Sequence, residues 1–462
     1  MSKSKFMSDA EHMKEELGPA LCLAKWQQVS LHLPTGLNNS CYHPPLHEID
    51  AQVIKFMPSA LHNTQHKKEQ RKKMLEGEKP KECNYCWNME EAGHLSDRHY
   101  RSGEPWAAEH FESIMTQPWN TDVTPSYVEV NFSHGCNLAC SYCSPQFSSK
   151  WGEDINRWGA YPTKVPHNDP KHFEGRRKPI PVREANPYVD AFWEWWPELY
   201  PSLKHFRMTG GEPLMDKNTH KVFDYILALP KPDLHVDVTS NFSVDEKLFE
   251  TYLDKVKELC TGNKIEHFMQ YVSLDTGIKE HAEYIRDGLD FEKNRRYVHE
   301  YLTTVPERNS LTYIITMNNL SILGLQRLLE HILDLRQRYS KTYQRVWFDT
   351  PVLRTPTWQS LQILPQEYVG ILEGVVKWME LHKLDEDSPR FDGFKDYEIQ
   401  RMKRDIDWMK KGKKLHEKYI HEQRADFYKF FNEYNKRRKI DFLTAFPQMK
   451  DFWLECKYHA EN

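Results

Sequence analysis

Residues 127–145 read YVEVNFSHGCNLACSYCSP. The opening YVEV is rich in β-branched and aromatic residues and reads as a strand. Directly after it, Cys136, Cys140 and Cys143 stand in the spacing Cys-x3-Cys-x2-Cys. Three thiolates in one short loop cannot fill the four tetrahedral positions around a single metal. They can hold three irons of a [4Fe-4S] cluster and leave the fourth iron open. An open position is what a catalytic metal centre requires.

Outward from this run the chain alternates strands and helices. Apolar strands are expected at 127–132, 204–209, 234–239, 268–274, 311–317 and 345–350, with helical patterns at 191–200, 219–228, 245–259 and 321–337. Such alternation implies a parallel sheet with right-handed crossovers, and six units suit a partial barrel. Residues 147–190 break the rhythm with Trp151, Trp158 and several prolines, as a long functional loop such as a lid would. Residues 26–41 read as a hairpin turning at Pro34-Thr35-Gly36, residues 60–82 as an exposed charged helix or linker, and residues 360–462 as mostly helical.

Composition narrows the class. The 462 residues suggest two or three domains, or one large barrel with an appendage. The 14 Trp, 23 Tyr and 22 Phe argue against a disordered chain. A net charge of -4 excludes a globally basic nucleic-acid coat. No apolar run approaches the length needed to span a bilayer, and MSKSKFMSDAEHMKEELG lacks the apolar core of a secretory signal. A cytoplasmic protein is therefore expected, and its nine cysteines call for an explanation other than structural disulfides.

The loop carrying Cys136, Cys140 and Cys143, with Tyr142 before the third cysteine, resembles the radical S-adenosylmethionine (radical SAM) superfamily. In that family the open iron chelates SAM, and an electron from the cluster cleaves its sulfonium to a 5′-deoxyadenosyl radical that abstracts a hydrogen atom. Four more features carry the resemblance. Gly210-Gly211-Glu212-Pro213 follows the second strand, as the family's GGEP motif does, and the glycines let the backbone approach the SAM amino group. Ser240 and Asn241 end the third strand, where the family contacts ribose and carboxylate, and Ser273 and Asp275 end the fourth. Arg286, on the next helix, offers a cation to the SAM carboxylate. All lie at or beyond the C-terminal ends of strands, where barrel active sites are built.

The second cysteine group is Cys22, Cys41, Cys83 and Cys86. Cys22-x13-Gly36-x4-Cys41 resembles the hairpin opening the SPASM auxiliary-cluster domain or its short form, twitch, where it carries ligands of an extra [4Fe-4S] cluster. Cys83 and Cys86 would complete four ligands and close the site. In the family this domain follows the barrel, whereas here it precedes it. Structural zinc is the alternative for four thiolates with one Cys-x2-Cys. The run CNYCWNMEEAGHLSDRHYR also resembles twitch-type radical SAM proteins of bacteriophages through Trp87, Glu90, Ser96 and Arg98. Glu90 and Arg98 either orient substrate or, on the ordinary and favoured reading, cap and pair on a helix surface. Cys260 and Cys456 read as buried thiols.

Residues 401–440 hold 14 Lys/Arg and 6 Asp/Glu with interleaved aromatics, which could bind nucleic acid. Phe427, Phe430, Phe431 and Tyr434, however, stand at the helical spacing of a core stripe, so nucleic acid is disfavoured as a partner.

The expected architecture is α/β: a partial (β/α)6 TIM-like barrel of the radical SAM type over 120–355, an N-terminal twitch-like iron–sulfur domain over 20–105 and a helical region over 360–462. The resemblance implies reductive SAM cleavage and hydrogen-atom abstraction from a substrate, with a peptide or protein first and a nucleotide or sugar second. It also implies an electron donor such as flavodoxin or ferredoxin, and no membrane partner. The non-enzymatic rival is a metal-bearing nucleic-acid-binding protein.

Overall fold

The computed structural model describes residues 3–169, 178–385 and 388–462. In chain order its strands are β1 (Gln28–His32), β2 (Leu37–Asn39), β3 (His47–Glu48), β4 (Tyr127–Asn131), β5 (Ala139–Cys140), β6 (His205–Thr209), β7 (Lys231–Ser240), β8 (Ile265–Ser273), β9 (Arg286–Asp287), β10 (Ser310–Ile314) and β11 (Val346–Asp349). The six expected strands are β4, β6, β7, β8, β10 and β11. Three of the helices between them start on aspartate caps. Asp216, Asp245 and Asp290 accept from backbone N–H groups at the heads of Lys217–Ala228, Glu246–Leu259 and Phe291–Thr304.

The chain forms two compact units. The first comprises the residues through His134 together with 178–213 and 231–237. Its strands neighbour one another in the order β6-β4-β1-β2-β3. β4 pairs in parallel with β6 and with β1, in the registers Val128↔Phe206 and Val29↔Val128. β1 and β2 form the expected antiparallel hairpin. Gly36 ends its turn at φ +64°, a conformation glycine adopts without strain. The segment 20–105 thus shares a unit with the first strand of the strand–helix rhythm, because β1 extends that sheet.

The charged run at 60–82 departs from expectation. Its helix Gln65–Leu75 is packed, with Lys67 and Arg71 buried. Lys67 Nζ donates to the Gln28 carbonyl at 2.7 Å, and Arg71 Nη1 donates to Asn63 Oδ1 at 3.0 Å. Polar partners inside the fold let a charged sequence sit there.

The second unit comprises 135–169, 214–230 and the residues from 238 onward. β8, β10 and β11 are parallel neighbours in it. Two helices, Lys279–Ile285 and Phe291–Thr304, lie between β8 and β10; only the first is expected from the sequence. Both units are therefore mixed α/β with largely parallel strands.

The irregular stretch 147–190 begins as the helix Ser149–Trp158, with Trp151 fully buried; residues 170–177 lie outside the described residues. The basic stretch resolves as the helices Asp396–Lys410 and Glu417–Arg438. Phe427, Phe430, Phe431 and Tyr434 are fully buried, as a core stripe requires. Several of its cations are used internally. Arg437 and Arg438 both pair with Asp154, at 2.8 and 3.2 Å, and Arg401 pairs with Asp349 at 2.9 Å. Among the described residues no helix is long and apolar enough to cross a membrane.

Candidate functional site

The loop after β4 is tied down at nearly every residue. Its short strand β5 pairs antiparallel with β9, setting Cys140 opposite Arg286. The backbone of Ser141 donates to the Ile285 carbonyl at 2.7 Å, and the side chains of Ser141 and Gln359 bond at 2.8 Å. Asn137 exchanges bonds with the Ser240–Ser243 turn: it accepts from Asn241 Nδ2 at 2.8 Å and donates to the Ser243 carbonyl at 2.9 Å. Trp151 donates its indole N–H to the Cys140 carbonyl at 2.9 Å. Phe242 within that turn has φ 46°, a strained conformation for a bulky residue, and full burial against Phe249 holds it.

Two of the three cysteine sulfurs face donors. The Leu138 N–H donates to Cys136 Sγ at 3.4 Å, and Arg286 Nη1 donates to Cys140 Sγ at 3.6 Å. Burial raises the Cys140 thiol above its ordinary range. Burial, then the neighbouring Cys140, pushes Cys143 up to about 12. All three cysteines keep partial solvent access. Nearby donors are what a metal-bound thiolate needs, since hydrogen bonds to cluster sulfurs tune such centres.

Arg286 sits just beyond the helix Lys279–Ile285 rather than on it. Its Nε and Nη2 fork onto both oxygens of Asp275, each at 2.9 Å, and both residues are buried. Asp275 also accepts from the Tyr142 hydroxyl at 2.9 Å and from the Thr316 N–H at 3.0 Å. In this arrangement Arg286 turns two nitrogens to Asp275 and the third to a cysteine sulfur. Ser240 Oγ accepts from the Phe242 N–H at 3.0 Å, and Ser273 is the last residue of β8. Ser240, Asn241, Ser273, Asp275 and Arg286 thus share the second unit with the three cysteines.

Gly210-Gly211-Glu212-Pro213 follows β6 in the first unit. Gly210 has φ +124°, and a Cβ there would stand 2.9 Å from the Ser133 carbonyl and collide with the Asn131 side chain. The Gly211 N–H donates to that carbonyl at 3.1 Å. Glycine at 210 is required on both counts.

The second cysteine group gathers within the first unit. Cys22, Cys41, Cys83 and Cys86 line one cavity together with Lys25, His43, Trp87 and Arg98. Burial and then the Cys22 thiol push Cys41 and Cys86 up to about 12. Burial lifts Cys83 to about 11 even though Lys25 beside it acts in the opposite direction. Lys25 is itself buried and pairs with Glu82.

Trp87, Glu90, Ser96 and Arg98 form one network beside this cavity. Arg98 forks onto Glu90 at 2.9 and 2.8 Å, and Ser96 Oγ donates to Glu90 at 2.6 Å. Arg98 Nη1 donates to the carbonyls of Leu21 at 2.7 Å and Gly18 at 3.1 Å. Its guanidinium lies over the Trp87 ring, 5.2 Å from the centroid, and Trp87 donates to the Pro80 carbonyl at 2.8 Å. Arg98 is therefore interior with Glu90 at its partly exposed edge, and it ties the residue before Cys22 to the residue after Cys86.

Sequence reasoning missed Asn137, Ser141, Trp151 and Gln359. They act through contacts between distant segments, for which no spacing in the sequence is a signal.

No family model matches the chain, and no curated protein matches it in sequence. Among solved structures it is similar to Streptococcus suis SuiB bound to S-adenosylmethionine, at 12% identity and a TM-score of 0.36, with 73% of this chain and 65% of that chain covered. SuiB bound to precursor peptide SuiA gives 13% identity and 0.36, covering 73% and 65%. SuiB alone gives 13% and 0.36, covering 77% and 68%. The chain thus spans just under two thirds of the first of these.

Proposed function

We propose that this chain is a radical SAM enzyme that takes a hydrogen atom from a peptide or protein. The observation that carries the reading is the three-cysteine loop after β4, with N–H and guanidinium donors at two of its sulfurs and no fourth cysteine in the motif. Cys136, Cys140 and Cys143 would hold a [4Fe-4S] cluster. Such a cluster, with SAM on its open iron, supplies the electron that splits the sulfonium and yields a hydrogen-abstracting 5′-deoxyadenosyl radical.

The chain's own residues do the positioning. Asp275 holds Arg286 against β5, so a positive charge stays beside Cys140. A fixed cation there favours the thiolate over the thiol. Asn137 and Trp151 hold the loop in place. The resemblance assigns SAM to Gly210, Gly211, Glu212, Pro213, Ser240, Asn241, Ser273, Asp275 and Arg286. Of these, the Asp275–Arg286 pair is assigned here to holding the loop as well.

Cys22, Cys41, Cys83 and Cys86 would hold a second [4Fe-4S] cluster. The four thiols line one cavity, and structural zinc is the alternative occupant. The proposed organisation is a twitch-like module over 20–105, a partial (β/α)6 barrel over 120–355 and a helical region over 360–462. The peptide substrate is the family's commonest class among members with such auxiliary domains; a flavodoxin or ferredoxin would supply the electron.

Anaerobic incubation with SAM and dithionite tests the proposal. The wild type should release 5′-deoxyadenosine and Cys140→Ala none. A wild type that carries reducible cubane iron and still leaves SAM intact would overturn it.

A further inference from the structure

Beside the cavity of the second cysteine group the first unit buries three cations. Lys25, Lys67 and Arg71 are each at most 2% exposed. Lys25 lines the cavity, pairs with Glu82 and has the Cys83 thiol as a further hydrogen-bond partner. Arg71 Nε donates to the Lys25 carbonyl at 3.3 Å. The fully buried His62 ring joins Arg71 to Lys67, whose Nζ lies 2.9 Å from His62 Nδ1.

Carboxylates are too few for this layer. Glu82 answers Lys25 and also takes His66 at 2.7 Å. Asp122, the carboxylate in the field of Arg71, pairs with Lys68. Among the described residues no carboxylate reaches ion-pair distance of Lys67 or Arg71. Their hydrogen bonds go to neutral groups instead: the Gln28 and Lys25 carbonyls, Asn63 and His62. Burial, then Lys67 and Arg71, hold His62 well below its ordinary range, so the ring adds no charge. Burial, then Arg71 and Lys25, likewise pull Lys67 well below its own. A buried positive charge without a negative one costs stability, and such departures are kept where function uses them.

The negative charge within reach is the cysteine group. Cys41 stands in the field of Lys25 and Lys67, and Cys83 in that of Lys25. As thiols these residues are neutral. Four thiolates outweigh the positive charge of an oxidised cubane or of a zinc ion, and reduction of a cubane adds one more negative charge. We propose that Lys25 and Lys67 are the fixed counter-charges of the centre held by Cys22, Cys41, Cys83 and Cys86. They raise its reduction potential by favouring the more negative, reduced state, since net charge and hydrogen bonds at the sulfurs set such potentials. This rests on the second cluster proposed above. Both lysines are positioning residues, acting through the sulfurs. The sequence hides Lys67 within a charged run that reads as solvent-facing.

A potentiometric titration of the Cys140→Ala full chain, followed by electron paramagnetic resonance, tests this on the second cluster alone. Added to that background, Lys67→Met should make the cluster at least about tenfold harder to reduce, a drop of about 59 mV for one electron. Lys25→Met should lower the potential at least as far, because the bond to Cys83 goes with the charge. Lys68→Met, which removes a neighbouring lysine paired with Asp122, should leave it unchanged. A potential unmoved in Lys67→Met and Lys25→Met, or an equal drop in Lys68→Met, overturns the assignment. A second site that holds zinc overturns the cluster and not the lysines. Chelator competition then reads them: Lys67→Met should hold zinc at least about tenfold more weakly, and equal affinity overturns the assignment.

Discussion

The two cysteine groups are built with the same device at different reach. Each has a buried arginine forked onto a carboxylate, Arg286 on Asp275 and Arg98 on Glu90, with its remaining nitrogen spent on the cysteine segment. At the first group the arginine donates to a cysteine sulfur, and the thiols lie on one loop closed by β5 and β9. At the second it holds the carbonyl of Leu21 and stacks on Trp87, so its task is to draw together segments far apart in the chain. On the proposed reading, the local cysteine set needs its electrostatics fixed, whereas the dispersed one needs its geometry fixed first.

Removing ligands should break this comparison most sharply. Cys140→Ala should abolish 5′-deoxyadenosine release and lower iron from about eight to about four per chain, with the auxiliary iron kept. Cys83→Ala should lower iron by the same amount and leave SAM cleavage in place. Iron analysis and chromatography of the nucleoside check both.

Cutting the two forks should sharpen it. Asp275→Ala and Glu90→Ala each strand a buried guanidinium, at a cost of about 3–5 kcal/mol in denaturant unfolding. Glu90→Ala should also lose the auxiliary iron selectively, and Asp275→Ala the catalytic iron. Loss of both irons in either variant would mean the two clamps are not independent.

Asp237 should behave oppositely. Burial lifts its carboxyl to about 7, well above its unfolded range. The folded state then binds a proton that the unfolded state releases between pH 4 and 7, so stability falls as pH rises through that window. Asp237→Asn should therefore stabilise the protein at pH 8 by an amount on the order of 2–4 kcal/mol, with the gain vanishing below about pH 4. Unfolding curves at the two pH values decide it. The smallest effect is expected from Trp151→Phe, which keeps the buried ring and loses one bond to the Cys140 carbonyl, about 1–2 kcal/mol by the same assay.

Much of this was legible in the sequence. The strand–helix rhythm produced six strands where apolar runs stood, because alternation and β-branching are local signals. Cys136, Cys140 and Cys143 were readable for the same reason. Cys22, Cys41, Cys83 and Cys86 were grouped through the hairpin spacing, and the structure lines one cavity with them. What stayed hidden depends on partners from elsewhere. Lys67 and Arg71 looked like a solvated helix, but they donate inside the fold to the Gln28 carbonyl and to Asn63. Glu90 and Arg98 looked like a surface pair, and Arg286 like a free cation on a helix. Their roles are set by Leu21 and by Asp275, which no spacing predicts.

The most direct test of the central claim is electron paramagnetic resonance of the Cys83→Ala variant, which retains only the three-cysteine site, reduced with dithionite before and after SAM is added. An open iron predicts a reduced cubane signal whose g-values shift when SAM binds. A cubane signal indifferent to SAM, or no cubane signal in protein carrying iron at that site, would contradict it.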